Sequence, residues 1–171
     1  REYVFAHALP LVLKADGLAA GKGVIIAHTQ VDALNAIDEI LVDQRFGDAG
    51  QTLVIEEFLE GVEVSFICVA SGTQVIPLAT SQDHKAREAG DKGPNTGGMG
   101  AFSPAPNVDP TLHKRIMDEI INPTVRGLAE EGMPYLGFLY AGLMIDPNGN
   151  PKVLEFNCRL GDPETQPLSL I

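Results

Sequence analysis

The sequence is poor in basic side chains and has no long apolar run. Twelve Lys and Arg residues stand against twenty-three Asp and Glu residues, giving a net charge of −11. Such an acidic balance argues against nucleic acid or an anionic membrane surface as a partner. No apolar stretch approaches the ~20 residues of a membrane-spanning helix, and the chain does not open on a signal-peptide pattern. We therefore expect a cytoplasmic protein that binds neither nucleic acid nor membranes.

Cysteine is scarce, and the chain does not begin with methionine. Cys68 lies within an apolar strand pattern, and Cys158 has no neighbour at metal-ligand spacing. We predict two buried, reduced thiols in preference to a disulfide. Both ends of the chain, residues 1–7 and 167–171, have the pattern of helices cut midway, so we expect a fragment of a longer protein.

The stretch "ADGLAAGKGV", residues 15–24, is similar to a phosphate-binding loop but lacks its spacing. A Walker A loop has four residues between its glycines, and the Ser or Thr after its lysine binds magnesium. Here three residues separate Gly17 from Gly21, and Gly23 stands where the hydroxyl should be. The flanking stretches 10–15 and 24–29 are typical of strands. We therefore predict the tip of a β-hairpin and not a P-loop.

Hydrophobic periodicity predicts an α+β protein without internal repeats. Residues 10–80 form the predicted N-terminal lobe, and residues 108–171 form the C-terminal lobe. The stretch between them, residues 81–107, has no periodicity, and loops of that length are usually functional or disordered. Thr29 or Asp32 can cap the first helix, and Pro123 should kink or interrupt the second. The predicted elements are helices over 29–42 and from Asp109 onward, and strands over 10–15, 24–29, 52–57, 62–69, 74–80, 138–145 and 152–157.

The segment "VLEFNCRLGDPETQ", residues 153–166, is the densest polar cluster after a predicted buried strand. Side chains alternate between the two faces of a strand, so Glu155 and Asn157 share one face with Val153, the two polar residues about 6.5–7 Å apart. Leu154 and Phe156 then pack on the other face. One carboxylate and one amide oxygen are ligands that Mg²⁺ prefers, with phosphates and water as the others. The alternative is a solvated strand face.

The segment "IEEFLEGVEVSF", residues 55–66, ends one strand and begins another. Its connecting residues 57–59 can offer backbone donors and acceptors to a flat base, and Glu63 can accept both hydroxyls of a ribose. The alternative is an acidic hairpin. Lys14, near the end of an apolar strand, is costly to bury unless it is paired. A phosphate partner and a side chain that reaches water explain Lys14 equally well, and Lys22 at the hairpin tip could contact a triphosphate.

Six segments in order resemble the ATP-grasp domain of the phosphoribosylamine–glycine ligase (glycinamide ribonucleotide synthetase) family, and the resemblance covers the chain from Pro10 onward. It implies an ATP-grasp fold in which two α+β lobes hold ATP. It also implies an ADP-forming ligase of de novo purine biosynthesis, which joins glycine to 5-phosphoribosylamine through glycyl phosphate. The N-terminal and C-terminal domains of that family are missing from these residues, so we expect the fragment alone to be inactive. The six segments are "LVLKADGLAAGKGV", "VIEEFLEGVEVSF", "SQDHK", "GPNTGGMGAFSPAP", "GFLYAGLMID" and "VLEFNCRLGDPETQP".

The resemblance also implies roles for individual residues, with ATP and Mg²⁺ (or Mn²⁺) as cofactors. Lys14, Lys22 and Arg159 would supply positive charge for phosphoryl transfer, and Glu155 and Asn157 would hold the metal ion. The nucleotide-binding set comprises Lys14, Gly17, Gly21, Lys22, Gly23, Glu56, Glu57, Phe58, Leu59 and Glu63. Our candidates for contacts to glycine or the ribosyl phosphate are Asp83, Lys85, Asn95, Thr96, Arg159 and Asp162.

The sequence departs from the family pattern at a few positions. Typical ATP-grasp ligases carry a further metal-binding acid on the strand before the Glu-x-Asn strand, and counting back thirteen residues from Glu155 gives Gly142. This lack is similar to the glycine ligase branch. Leu160 replaces the usual Phe, and residues 86–93 are atypical. Two alternatives stay open, namely a nucleotide-binding fragment without turnover and an ATP-grasp ligase for another carboxylic acid.

Overall fold

The computed structural model describes residues 1–17, 19, 23–89, 92–96 and 98–170. The predictions for Gly21 and Lys22 lie outside the described residues, as does the prediction for the side chain of Asn95. The chain divides into two compact units, Arg1–Leu59 and Glu60–Ile171. Within the described residues, no helix has the length and apolar character needed to cross a membrane.

The first unit is a three-stranded antiparallel sheet in which Leu11–Ala15 lies between Val24–Ala27 and Leu53–Glu57, with helices against one face. Leu11 and Leu13 of the central strand are buried with Ile40, whereas Lys14 belongs to the opposite face because side chains alternate along a strand. The elements are α1 (Glu2–Ala6), β1 (Leu11–Ala15), β2 (Val24–Ala27), α2 (Gln30–Ile37), a π-helical turn (Asp38–Val42), a 3₁₀ turn (Gly47–Gly50) and β3 (Leu53–Glu57).

Local signals in the first unit are confirmed. The glycine-rich stretch joins β1 and β2, which pair antiparallel, so it belongs to a hairpin as predicted. Of the two candidate caps, Thr29 is the N-cap of α2, since its hydroxyl accepts a hydrogen bond from the Asp32 backbone at 3.1 Å. The Thr29 backbone N–H donates in return to the Asp32 carboxylate at 3.0 Å. This reciprocal capping box satisfies two backbone donors that the helix start would otherwise leave without partners.

The second unit is a four-stranded antiparallel sheet in which the strands follow the order Pro151–Asn157, Leu136–Ile145, Val62–Ser71 and Gln74–Pro77. The 146–150 turn connects the neighbouring strands Leu136–Ile145 and Pro151–Asn157, and within it Asp146 accepts hydrogen bonds from the backbone N–H groups of Asn148 and Asn150, both at 2.8 Å. The main elements are β4 (Val62–Ser71), β5 (Gln74–Pro77), α3 (Pro110–Ile116), a π-helical turn (Met117–Ile121), α4 (Asn122–Glu130), β10 (Leu136–Ile145), β11 (Pro151–Asn157) and α5 (Thr165–Leu168).

The compact units differ from the predicted lobes, which placed residues 62–80 with the N-terminal part of the chain. Strand β4 pairs along its whole length with β10, from Val62 opposite Ile145 to Ser71 opposite Leu136. The two partners are far apart in sequence, and nothing in the local pattern of a strand identifies a distant partner. The first unit therefore ends at Leu59, directly after β3.

One face of this sheet packs against the helices, and the other carries the polar side chains. Val64, Phe66 and Cys68 of β4 are buried on the helix-packed face with Ile116 and Ile121. Because side chains alternate, Glu63 and Ser65 belong to the opposite face.

Pro123 does not break the second helix, contrary to one of the two predicted outcomes. The chain stays helical from α3 to α4, and the turn before Pro123 widens into a π-helix. The Asn122 backbone N–H accordingly reaches Met117, five residues earlier. This wider turn accommodates a residue that has no N–H to donate.

The stretch 81–107 is not devoid of regular structure, so that part of the prediction is wrong. It contains two short antiparallel strand pairs, which are too short to show alternation in the sequence. They are β6 (Gln82–Asp83) with β9 (Ala101–Phe102), and β7 (Ala86–Glu88) with β8 (Lys92–Asn95).

The two cysteines have different environments. Both are free thiols, as predicted, but only Cys68 is buried. Burial raises the pKa of the Cys68 thiol to about 11. Cys158 is exposed because it follows the end of β11, the edge strand of the sheet, so the prediction of a buried Cys158 is wrong.

Candidate functional site

In the first unit, Lys14 is paired with a carboxylate. Its Nζ lies 2.5 Å from Oε2 of Glu56, and the Lys14 side chain is 20% exposed. The register explains the pair, because Lys14 is opposite Val54 and therefore diagonal to Glu56 on the same sheet face. The ion pair gives this half-buried lysine a partner that the sequence analysis did not consider.

The described ends of the glycine-rich stretch are closely packed. Gly17 donates its backbone N–H to the carbonyl of Ala49 at 3.1 Å, and a Cβ on Gly17 would lie 2.5 Å from the Ala49 Cα. A Cβ on Gly23 would lie 2.7 Å from the Ala19 Cβ, and the Gly23 carbonyl accepts from the Ala15 N–H at 2.9 Å. Both positions therefore require glycine for steric reasons.

The predicted base-binding segment lies at the end of β3. Glu57 is exposed, and Phe58 and Leu59 are half-buried. The Phe58 ring lies 6.3 Å from the ring of His28, at an angle of 59°. This contact orients Phe58 within the first unit.

In the second unit, three strands bring the Glu-x-Asn pair beside Ser65 and Tyr140. Gly142 of β10 lies between Ser65 of β4 and Glu155 of β11, and Tyr140 lies opposite Asn157 in the next row. The Asn157 side-chain amide donates to Oε1 of Glu155 at 3.2 Å. The two side chains thus share a face, as the strand alternation predicts.

A β-bulge in β11 overturns the prediction that Val153 shares the face of Glu155 and Asn157. Gly142 is opposite Glu155 while Leu143 is opposite Val153, which leaves Leu154 as an extra residue. Alternation is broken at such a bulge, so Val153 no longer follows the facing of Glu155. Phe156, predicted to pack on the strand face opposite Glu155, is 41% exposed.

Gly142 occupies the position at which typical ATP-grasp ligases carry a further metal-binding acid. A Cβ built there would lie 3.3 Å from the Cγ of Glu155 and 3.3 Å from the Cε1 of Tyr140. Both neighbours restrict the space, so a longer acidic side chain would have to displace one of them.

Glu63 is paired with a lysine from the 81–107 stretch. The Lys85 Nζ lies 2.9 Å from Oε2 of Glu63, with the two side chains 30% and 38% exposed. Burial of Lys85 favours its neutral form, but the charge of Glu63 and its hydrogen bond outweigh that effect and raise the pKa of Lys85. Tyr140 and Glu155 act in the same direction. Lys85 therefore stays charged between two of the predicted site carboxylates.

A buried hydrogen-bond chain underlies these residues. The Ser65 hydroxyl donates to Oε1 of Glu164 at 2.6 Å and lies 3.0 Å from the Tyr140 hydroxyl. Glu164 is 2% exposed. Burial raises the pKa of Tyr140 to about 12, which the Ser65 hydrogen bond opposes and the charge of Glu164 reinforces. These hydrogen bonds connect β4, β10 and the segment that follows β11.

Ser65, Tyr140 and Glu164 are not among the site residues predicted from the sequence. Strand alternation alone could have indicated Ser65 and Tyr140, which share the face of Glu63 and Asn157. Glu164 gave no signal, because a carboxylate in a Gly/Pro turn normally lies at the surface.

Asp83 is the last residue of β6, two positions before Lys85. Burial, and then the charge of Glu164, raises the pKa of Asp83 to about 6, with Glu63 acting in the same direction and Lys85 and His84 against it. Its Oδ1 is shielded from solvent and has no hydrogen-bond partner among the described residues.

The remaining candidates have local partners. Thr96 donates its hydroxyl to the Lys85 carbonyl at 2.9 Å, which fixes the loop. Arg159 donates to the carbonyl of Leu160 at 2.9 Å, and Asp162 accepts from Gln166 at 3.3 Å. Arg159 and Asp162 are exposed.

The described residues contain no group of three or more His, Cys, Asp and Glu side chains placed to hold a metal ion. The Glu155 carboxylate and the Asn157 amide are two hard donors side by side. That set fits Mg²⁺, which commonly takes one or two protein ligands and completes its shell with water and phosphate oxygens.

Comparison with known proteins gives consistent results. Residues 1–165 match the family described as phosphoribosylglycinamide synthetase, ATP-grasp (A) domain. The chain is 67% identical over 166 residues to phosphoribosylamine–glycine ligase of Allochromatium vinosum and 64% identical over 166 residues to that of Ralstonia nicotianae. Each match covers 97% of this chain and 39% of the relative, so the chain spans about two fifths of their length.

A solved structure agrees with these sequence matches. The crystal structure of phosphoribosylamine–glycine ligase from Thermotoga maritima superposes with a TM-score of 0.86 at 38% identity. The match covers 99% of this chain and 43% of that protein.

Proposed function

Because the chain belongs to the family of phosphoribosylglycinamide synthetase ATP-grasp (A) domains, we propose that it forms part of a ligase that joins glycine to 5-phosphoribosylamine. The predicted α+β ATP-grasp fold is confirmed by the family match and by the Thermotoga maritima structure. The products of the proposed reaction are glycinamide ribonucleotide, ADP and phosphate, a step of purine biosynthesis. The observation that carries the proposal is the match of residues 1–165.

The chemistry of the proposed reaction sets what the residues must do. Glycine's carboxylate is already an anion at neutral pH, so its attack on the γ-phosphorus needs no general base. The barrier comes from bringing two anions together and from charge on the transferred phosphoryl group, which positioning and preorganised cations reduce. The amine of phosphoribosylamine then attacks the acyl carbon of glycyl phosphate and phosphate leaves.

In the first unit, we assign nucleotide contacts to Lys14, to the glycine-rich stretch and to residues 56–59. Lys14 would transfer from Glu56 to the α- and β-phosphates. The exposed end of β3 would offer its backbone to adenine. The family match over residues 1–165 supports this assignment, since it includes all of these residues.

In the second unit, we assign the ribose to Glu63 and the metal ion to Glu155 and Asn157. Bound Mg²⁺ would supply positive charge to the phosphate oxygens. Lys85, charged and adjacent to both Glu63 and Glu155, would add to that charge. Arg159, exposed after β11, completes the set of cations that we assign to this unit.

The proposal is tested by product analysis of the native protein that carries this sequence. It is incubated with ATP, Mg²⁺ and a panel of carboxylic acids and amines, and products are identified by mass spectrometry. We expect glycinamide ribonucleotide from glycine and phosphoribosylamine. A product from a different acid would identify a ligase for another carboxylic acid, and the absence of any ligated product would indicate a nucleotide-binding protein without turnover.

We predict that Glu63→Ala in the native protein mainly raises the KM for ATP. Losing a charge-assisted hydrogen bond to the ribose costs about 1.5–3 kcal/mol. This corresponds to roughly a ten- to hundredfold rise in KM. Steady-state kinetics with ATP varied at saturating glycine measures it, with Glu60→Ala, an exposed glutamate three positions earlier, as the matched control. An unchanged KM for ATP in Glu63→Ala would remove the ribose assignment.

A further inference from the structure

Tyr140 is a neighbour of both residues of the Glu-x-Asn pair. It lies directly opposite Asn157 on the adjacent strand, and paired residues share a sheet face. A Cβ built on Gly142 would lie 3.3 Å from the Tyr140 Cε1 and 3.3 Å from the Glu155 Cγ. Because Gly142 has no side chain, the Tyr140 ring and the Glu155 stem share the space above it. The position of the ring therefore limits where the Glu155 side chain can lie.

The hydroxyl of Tyr140 fixes the ring to the strand on its other side. It lies 3.0 Å from the hydroxyl of Ser65. The single proton of Ser65 is donated to Oε1 of Glu164 at 2.6 Å, so Tyr140 is the donor in its contact with Ser65. The hydrogen bonds thus run in one direction, from Tyr140 through Ser65 to Glu164. Glu164 is the acceptor that orients both hydroxyls.

The segment after β11 is shaped around the Glu164 carboxylate. A Cβ built on Gly161 would overlap Oε2 of Glu164, so glycine at this position leaves room for the carboxylate. Glu164 is buried, whereas Asp162 is exposed. Burying a carboxylate is costly unless it is hydrogen-bonded, and an apolar side chain of similar size would fill the same space without that cost. The acid is therefore explained by the oxygen that accepts from Ser65 and not by packing.

Ser65 is itself held by its backbone. Its N–H donates to the Ser81 carbonyl at 2.8 Å, and its carbonyl accepts from the Ser81 N–H at 3.1 Å. Ser65 and Tyr140 are both buried. Solvent cannot readily replace a hydrogen bond that is lost in such a place, so these bonds hold the Tyr140 ring in one orientation.

We propose that Glu164 and Ser65 are positioning residues for the metal site, and that they act through Tyr140 to hold the Glu155 carboxylate beside the Asn157 amide. The inference rests on the proposed function and adds three residues to its metal assignment, none of which is assigned a contact with the ion. Residues that orient the ligands of a metal typically contribute about ten- to a hundredfold to metal affinity or activity.

The test measures metal binding directly, with Mn²⁺ as the probe. The native protein is titrated with Mn²⁺ in the presence of a non-hydrolysable ATP analogue, and electron paramagnetic resonance follows the free ion. We expect Tyr140→Phe, which removes only the hydroxyl, to weaken Mn²⁺ binding about tenfold. Glu164→Met, which has no oxygen to accept from Ser65, should have the same effect. Glu164→Gln should stay within about threefold of the unmodified protein, because its amide oxygen still accepts.

A double variant shows whether the hydrogen bonds act as one unit. Ser65→Ala removes the link between Tyr140 and Glu164, so adding Tyr140→Phe should cost little more, and the two effects should be non-additive. The Mg²⁺ concentration that gives half-maximal turnover should rise in parallel with the Mn²⁺ dissociation constant. Tyr135→Phe is the matched control: its hydroxyl donates to the Phe138 carbonyl at 2.6 Å, and its loss should leave Mn²⁺ binding unchanged.

Thermal denaturation of the same variants separates positioning from a purely structural role. A structural role lowers the melting temperature and leaves the Mn²⁺ affinity of the folded protein unchanged. That result in Tyr140→Phe and Glu164→Met, or additive effects in the double variant, overturns the inference. Should Glu164→Met fail to fold, Tyr140→Phe decides, because it removes a single oxygen atom.

Glu155→Ala is measured alongside to separate this inference from the proposed function. If Glu155→Ala weakens Mn²⁺ binding and Tyr140→Phe does not, the positioning role alone is wrong. If Glu155→Ala leaves Mn²⁺ binding unchanged, the metal assignment of the proposed function is wrong and the positioning role is overturned with it.

Discussion

Alanine at Glu155 or at Asn157 should lower the kcat of the native protein by about a hundredfold or more. Charge stabilisation by a bound metal ion is worth several kcal/mol in phosphoryl transfer, and each ~1.4 kcal/mol corresponds to a factor of ten in rate. The two side chains lie 3.2 Å apart on one strand face and would share one ion. Removing the second ligand should therefore cost much less once the first is gone, and the effects of the two changes should be non-additive.

The measurement is kcat against Mg²⁺ concentration for the two single variants and the double variant. Val153→Ala, a 40% exposed position on the same strand, is the matched control and should behave as the unmodified protein does. Each single variant should require more Mg²⁺ to reach its maximal rate. Two effects that simply add, or activity that does not respond to Mg²⁺, would contradict the assignment of a shared metal ion.

The 171-residue chain by itself should bind Mg-ATP weakly and should not ligate. It carries the proposed nucleotide and metal residues, but it spans 39% of the length of its ligase relatives. Contacts to the ribosyl phosphate are therefore expected to require more of the protein than these residues.

Binding is measured by calorimetry with Mg-ATP. Ligation is measured by a phosphate-release assay with glycine and phosphoribosylamine. Glu63→Ala should weaken the calorimetric signal, which distinguishes specific binding from non-specific association. Circular dichroism of both proteins shows whether the chain and its variant are folded. Robust ligation by residues 1–171 alone would mean that the substrate site is built from a different part of the molecule than we infer.

The parts of the fold that local chemistry determines were predictable. The N-cap of α2 follows from Thr29 and Asp32, which form a capping box within four residues. Asp109 likewise caps α3, accepting a hydrogen bond from the Leu112 backbone at 2.7 Å. The 146–150 turn follows from its Asp, Asn and Gly content. In each case the interacting groups are close in sequence, so the pattern contains both partners.

The boundary between the units was not predictable in this way. Strand β4 has the same alternating pattern whether it pairs with β3 or with β10, and its pairing with β10 is a long-range contact. The same limit applies to Lys14, whose ammonium group was predicted either to contact a phosphate or to reach water. Its ion pair with Glu56 depends on the register of β1 against β3.

The candidate site was predictable where alternation holds and not where it is broken. Glu155 and Asn157 share a face because they are two residues apart, whereas the bulge at Leu154 invalidated the facing of Val153. The buried Glu164 accepts a hydrogen bond from Ser65, which lies on a strand almost one hundred residues earlier. A carboxylate stabilised by a distant hydroxyl has no signature of its own in the sequence.

The transfer of oxygen from glycine to phosphate tests the central claim most directly. The native protein is supplied with ATP, Mg²⁺, phosphoribosylamine and glycine labelled with oxygen-18 in both carboxylate oxygens, and the released phosphate is analysed by mass spectrometry. If the carboxylate attacks the γ-phosphorus and the amine then displaces phosphate from the acyl carbon, the phosphate retains one labelled oxygen and the product amide retains the other. Phosphate that contains no label would contradict the account, because a different nucleophile would then have attacked the phosphorus.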